Sequence, residues 1–397
     1  MMRREVLVLI ATSLVLFFGT ATTFSSMGVA LFAMAGEFHW SEAAAGGAFL
    51  ALGLICAGTS LAPMALIPRV GGRWTMVAGM LILAAGFLLA TATRNLLTFY
   101  AAAALFGLAF SLIANATGTY LIASWFGERS SRMIGIYLMV GTLGGAAGPP
   151  AAGALIASHG GWRLYWLVIA AVSVLIAGFC AAFIREPPLA SRPVADSAAP
   201  NDPWRFRAFL RTPQFAVAAA AMVATQACTI MVSSVAPPHL AGLGWSGGFA
   251  AEILGLQGLV GTAATGVSGW LAEGRDPKRL LAGGLVAEAA GMILLAFAHN
   301  LWIAYAFVLV FGIGWSISSF AVVALLIRYF GSATGTAALA TIWLLAGIAT
   351  ASPYVAGQVA DMTGSFVPSL TVLGLLLLPV AFAAVAMNSV RRPSPAA

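Results

Sequence analysis

Twelve runs of about 20 largely apolar residues constrain this chain more than any other feature of it. They cover residues 6–34, 43–67, 74–93, 96–126, 133–158 and 162–184, then 214–240, 249–272, 280–298, 301–330, 334–360 and 366–387. None shows the two-residue alternation of a barrel strand, and a run of this length can satisfy its backbone inside a bilayer only as a helix. Charged residues make up 8% of the chain, against about 25% for a soluble domain that must solvate its surface. The fold class expected is therefore an all-α membrane protein of twelve transmembrane helices. The first run is too long for the apolar core of a signal peptide, so it reads as a retained span.

The basic residues sit in the short loops between runs, as membrane topology produces and as nucleic-acid binding does not. With the N-terminus placed in the cytoplasm, seventeen of the nineteen Lys and Arg residues fall inside; Arg94 and Arg163 are the two outside. This bias predicts a multi-pass protein of a bacterial inner membrane with both termini cytoplasmic. His39, His159, His239 and His299 are all expected at outer loops, and Cys56, Cys180 and Cys228 lie inside apolar runs with no metal-ligand spacing. No metal or other cofactor is expected.

Residues 185–213 are rich in Arg and Pro and cannot continue a helix. They read as a cytoplasmic linker between an N-terminal bundle, 1–184, and a C-terminal bundle, 214–397. The two halves repeat. At an offset of 204, Phe126-Gly127 maps onto Phe330-Gly331, Pro149 onto Pro353, and Ala152-Gly153 onto Ala356-Gly357; at 205, Phe106-Gly107 and Ser111 map onto Phe311-Gly312 and Ser316.

Two six-helix halves related in this way resemble the major facilitator superfamily. The segment from Met64 to Arg73 is similar to a degraded form of that superfamily's loop signature, with Pro68 in place of its acid. The second-half copy keeps Gly269, Leu271, Glu273, Arg275 and Lys278. Gly144, Gly148, Pro149 and Gly153 resemble the fifth-helix motif associated with antiporters; physically, small residues let helices approach closely and the proline frees a carbonyl. Trp125-Phe-Gly-Glu-Arg, Pro237-Pro-His-Leu and the series Pro353, Gly357, Asp361, Gly364 look most like bacterial monocarboxylate-porter relatives.

The resemblance implies a cavity lined by the first, fourth, seventh and tenth spans. Polar side chains near mid-depth on those spans are Thr20 and Thr23, then Ser111, Asn115 and Thr119 on one face, then Gln226, Thr229 and Ser233, and Trp315, Ser316 and Ser319. Thr20, Thr23, Asn115, Thr119, Gln226, Thr229, Trp315 and Ser316 are taken as candidate substrate ligands. Glu288 is the one acid deep within a span, and an intramembrane carboxyl is a candidate proton carrier. In this fold its helix is expected at the periphery. Gly148, Pro149, Gly153, Gly269, Glu273 and Arg275 are candidate gating and packing residues.

The expected function is secondary active transport of a small organic solute, a monocarboxylate on the strength of the resemblance, coupled to protons or exchange and carried out by a monomer. The eighth span offers Gln257, Thr262 and Thr265 but no base to meet a carboxylate. That absence and the fifth-helix motif favour the alternative of an efflux antiporter for neutral or amphipathic compounds. An intramembrane enzyme would need a nucleophile, an acid pair or a metal cluster at membrane depth, and no motif of that kind is present; a P-loop is also missing.

Overall fold

The computed structural model describes residues 2–158, 161–185, 209–271 and 276–387. Every regular element among them is a helix. The first span consists of α1 (Met2–Thr20) and α2 (Met27–Phe38), joined by a π turn at Ala21–Ser25. Next come α3 (Glu42–Gly58), α4 (Ala62–Thr91), α5 (Leu96–Ile113), α6 (Asn115–Phe126), α7 (Ser130–Ala157) and α8 (Gly161–Phe183). The second half holds α9 (Pro213–Gly242), α10 (Gly247–Leu271), α11 (Pro277–Ala296), α12 (Leu301–Ala346), α13 (Ser352–Thr363) and α14 (Val367–Ala386). Nine stretches among the described residues are long and apolar enough to cross a bilayer, and α3, α7 and α10 complete the twelve spans.

Breaks in the helices fall where backbone or side chains can satisfy the freed groups. Helix α4 carries the second span into the third across Gly71, at φ 88°, and α12 carries the tenth into the eleventh across Gly331, at φ 81°. Gly127, which the repeat pairs with Gly331, also has positive φ, 51°. All three turns therefore favour a residue without a Cβ. The fourth span is interrupted at Ala114, at ψ −135°. Thr117 donates to the Leu112 carbonyl at 2.6 Å and Tyr137 donates to that of Ala114 at 3.2 Å, so two carbonyls at the break keep a donor. This break corrects the expectation that Ser111, Asn115 and Thr119 share one helix face: Ser111 lies on α5 and the other two on α6.

The two bundles pack alike. Within the first, α4 lies against α5 and α8, α3 against α5, and α1 against α7; within the second, α11 lies against α12 and α14, α10 against α12, and α9 against α13. In a bilayer, helix association depends on shape and close contact rather than on escape from water. The first bundle accordingly centres on stacked rings, with Trp166 fully buried and 5.7 and 5.6 Å from the Phe87 and Phe106 ring centroids.

The spans alternate in direction, which gives the molecule a proximal end, where α1 begins and α14 ends, and a distal end. Contacts between the bundles concentrate in the distal half, where α2 meets α9, α3 meets α13, and α7 meets α10. These contacts obey the repeat. A Cβ on Gly53 would lie 2.1 Å from the Thr350 side chain, and one on Gly258 would lie 2.7 Å from Ala146; positions 53 and 258, and 146 and 350, are repeat equivalents. Among the described residues, α6 and α12 pack chiefly within their own bundles, so the proximal halves of the fourth and tenth spans carry little of the contact between bundles.

Prolines inside the helices serve this distal contact. Pro150 and Pro237 have no N–H to give the carbonyls of Ala146 and Ser233, four residues before them. Both carbonyls are met by a glycine of the other bundle: Gly255 packs on Ala146 and Gly28 on Ser233. Helix α9 also runs through Pro237-Pro238 to Gly242. His239, expected at a loop, is thus inside its last turn, buried, with Nε2 3.0 Å from the Leu295 carbonyl.

Candidate functional site

The polar side chains near mid-depth on the first, fourth, seventh and tenth spans divide by whether their hydrogen bonds are already made. Thr20 donates to the Gly141 carbonyl of α7 at 2.7 Å. Thr23 is buried and donates to Gly19 at 2.7 Å. Thr229 and Ser233 each donate to the carbonyl one turn earlier at 3.0 Å, and Thr119 donates to Ala116 at 3.2 Å. Ser316 pairs with Thr265 of α10 at 2.7 Å. Ser111 is held by Thr59 at 2.9 Å. These groups join helices or pair with their own backbone, which is the usual fate of Ser and Thr in membrane helices. The Asn115 side chain lies outside the described residues.

A second set has capacity to spare. Gln226 is half-buried and makes no hydrogen bond to another described residue. It stands seven residues before Ser233, on the face of α9 that meets Gly28 of the other bundle, two turns nearer the proximal end. The indole N–H of Trp315 and the hydroxyl of Ser319, one turn apart on α12, are buried without partners. Trp315 packs on α10 at Gly261, one turn from Gln257, whose amide also has no partner among the described residues. Leaving an amide unsatisfied costs about 1–3 kcal/mol on protein-derived scales. Two amides, an indole and a hydroxyl near mid-depth thus keep hydrogen-bonding capacity that no described residue uses.

Ser25, on the π turn, was not singled out in the sequence. It is half-buried, its hydroxyl has no described partner, and it stands across from Gly145 of α7. The π turn is what turns it toward that neighbour. Such turns recur at functional sites, but an unbroken apolar run gives no sign of the changed period.

Glu288 is fully buried inside the C-terminal bundle rather than at its lipid-facing edge. Its Oε2 accepts from Thr225 at 3.1 Å, and the Ser318 hydroxyl of α12 lies beside the same carboxyl. Thr225 is the immediate neighbour of Gln226. One residue step on α9 therefore separates the acid from an unpartnered amide on the inter-bundle face.

The glycines of the fifth span do bring helices together. A Cβ on Gly148 would lie 2.2 Å from the Ala21 carbonyl oxygen, and one on Gly153 would lie 2.8 Å from Ala251 of the other bundle. Pro149 sits inside α7. Gly269 ends up in α10, while Glu273 and Arg275 lie outside the described residues. The two signature loops still show a shared latch at their ends. Arg73 donates to the Ala181 carbonyl near the end of α8, and Lys278, its equivalent at an offset of 205, donates to Met387 after α14 at 2.7 Å. Each base closes its own bundle onto that bundle's last helix, even though Pro68 replaces the acid in the first copy.

The family model of the Major Facilitator Superfamily matches residues 12–351. A bacterial homologue of the human lysosomal transporter Spinster, solved in an inward-facing and occupied conformation, superimposes with a TM-score of 0.80 at 16% identity over 98% of both chains. The nucleoside transporter NupG, solved as a point mutant, gives 0.76 at 12% identity over 96% of this chain and 99% of that one. A bacterial homologue of the human drug peptide transporters PepT1 and PepT2 gives 0.72 at 14% identity, over 96% and 98%.

Proposed function

This chain belongs to the Major Facilitator Superfamily and is a transporter rather than an enzyme, and from that premise we propose that it is a secondary active transporter moving a small organic solute across the bacterial inner membrane by alternating access. The observation that carries this reading is the set of unpartnered polar groups at mid-depth, Gln226, Gln257, Trp315 and Ser319, in bundles whose mutual contacts concentrate distally. Thr20 and Ser316 hold the helices that frame this surface, while Thr23, Thr119 and Thr229 spend their hydroxyls on their own helix. Asn115 stands at the start of α6, at the matching depth on the fourth span. With the proximal end in the cytoplasm, as the arginine bias supports, this is the inward-open form. The solved Spinster homologue was likewise captured inward-facing.

Glu288 carries the coupled proton in this reading. Its protonation is relayed to the solute surface through Thr225 and the adjoining Gln226. The residue ranges 1–184 and 214–397 act as the two rocking units, joined by 185–213, with Gly153 on their moving contact and Gly148 and Pro149 keeping α7 on the first span within the first unit. Gly269, Glu273 and Arg275 belong to the second-half loop whose final base, Lys278, fastens α14.

A monocarboxylate is the first solute class to test. Efflux of a neutral or amphipathic compound is the second reading, favoured because no Arg or Lys lies at mid-depth among the described residues. Proteoliposomes holding the purified protein separate the two. Uptake of labelled lactate or pyruvate driven by an inward proton gradient and abolished by a protonophore supports the first. Gradient-dependent extrusion of a lipophilic neutral dye with no monocarboxylate uptake supports the second. Activity of neither kind above protein-free vesicles, across both solute sets, contradicts transport by this surface.

Topology is tested separately. Reporters fused after Arg207 and at the C-terminus are expected to be cytoplasmic, and one after His159 to be external. An external reporter at Arg207 overturns the orientation.

A further inference from the structure

The series Pro353, Gly357 and Asp361 runs along one face of α13 at four-residue spacing, and transport as described above makes no use of it. All three residues meet α3 of the other bundle. Opposite Pro353, a Cβ on Gly46 would lie 2.4 Å from the Pro353 carbonyl oxygen. One turn on, a Cβ on Gly357 would lie 2.4 Å from the backbone of Glu42 and Ala43. At the next turn, Asp361 accepts from the Glu42 N–H through Oδ1 at 2.9 Å and from the Ala43 N–H through Oδ2 at 3.1 Å.

Those two N–H groups open α3 and have no acceptor within their own helix. The helix supplies a cap of its own one residue later, where Ser41 accepts from Ala44 at 3.2 Å. The first two donors are thus left to a carboxylate from the opposite bundle. Charge-assisted bonds to a helix N-terminus gain from the positive end of the helix dipole. Asp361 is also exposed, so water can take over its oxygens and the two N–H groups when the helices part. The bond is strong enough to hold a closed end and cheap enough to release.

The equivalent contact on the other side of the molecule lacks this device. There Gly153 of α7 meets Ala251 of α10, but position 157, which the offset of 204 pairs with Asp361, is alanine. The distal closure therefore has one side held by a carboxylate and one by packing alone.

We propose that Asp361 is the lock of the distal gate, a positioning residue that holds α13 on α3 while the molecule is closed at that end and lets go as the distal end opens. The proposal rests on alternating access. Losing two charge-assisted bonds that water only partly replaces is expected to shift the closed-to-open ratio about tenfold, the change that corresponds to about 1.4 kcal/mol.

The test is a distance distribution between spin labels at the distal end of the full chain in lipid nanodiscs, at one pH because Glu42 brings a second carboxyl to this contact. Labels go on Leu97→Cys and Trp302→Cys, exposed positions in opposite bundles, in a background with Cys56, Cys180 and Cys228 replaced by serine. Asp361→Ala should raise the long-distance, distally open population about tenfold, and Asp361→Asn by less. Ala157→Asp, which offers a carboxylate toward the start of α10, should lower it. If wild type shows two distances and Asp361→Ala leaves their ratio unchanged, or lowers thermal stability alone, the lock is overturned and alternating access stands. A single distance that no variant moves overturns alternating access as well. Should Asp361→Ala fail to fold, Asp361→Asn and Ala157→Asp carry the test, and unchanged ratios in both overturn the lock.

Discussion

Replacing Gly148 by leucine is expected to reduce transport about 100-fold or more while leaving membrane insertion intact. The Cβ alone would stand 2.2 Å from the Ala21 carbonyl oxygen, and Ala21 begins the π turn of the first span. A backbone oxygen cannot swing aside as a side chain can, so α7 and the first span must separate. Overpacking of this kind costs about 1–3 kcal/mol even where side chains adjust. The strain falls on the stretch that carries Ser25 and that lies against α9 of the other bundle. Insertion depends on apolar length, which the leucine does not reduce. Surface delivery measured by labelling, together with initial transport rates, checks this. Wild-type rates in Gly148→Leu would show that the first span and α7 need not stay in contact during the cycle.

Glu288→Gln is expected to abolish proton-driven accumulation, bringing it down at least tenfold to the level of simple equilibration, while solute exchange continues. Glutamine keeps the size of the side chain and an oxygen to accept from Thr225, so the packing of α9, α11 and α12 is retained. What it loses is the ability to take up and release a proton. A fully buried carboxyl met only by hydroxyls, with no cation beside it among the described residues, is a costly structural element. Cys228 of α9 is the other titratable group facing it among the described residues, so Cys228→Ser serves as the control and should leave accumulation unchanged. Accumulation by Glu288→Gln at the wild-type level would make the acid a packing residue only.

Much of the architecture was legible in the residues because the bilayer leaves few solutions. Apolar length gave the spans, and the repeat anticipated particular structure: Gly127 and Gly331 both turn the chain at positive φ, and positions 53 and 258 both pack on the opposite bundle, against Thr350 and Ala146. What was not legible is the rotation of each helix about its own axis. An all-apolar helix has no wet side, so hydropathy cannot tell Glu288 facing three helices from Glu288 facing lipid. The same blindness placed Ser111 with Asn115 on one face, because nothing marks Ala114 as a break until Tyr137 and Thr117 are seen to satisfy its carbonyls. The candidate ligands divided for a related reason. A hydroxyl can return to its own helix, as in Thr23, whereas the amide of Gln226 is too long and has too many donors to do so easily.

Gln226→Ala is the most direct measurement of whether this inter-bundle surface binds solute. A ligand found by thermal stabilisation of the purified protein, an effect that follows from mass action, serves as the probe. Apparent affinity for it and melting temperature without it are then compared in wild type and variant. Affinity is expected to fall about 5- to 100-fold, corresponding to about 1–3 kcal/mol, with the melting temperature nearly unchanged because the amide bonds no other helix. A lowered melting temperature with unchanged affinity would contradict a binding surface at Gln226 and make that residue part of the scaffold.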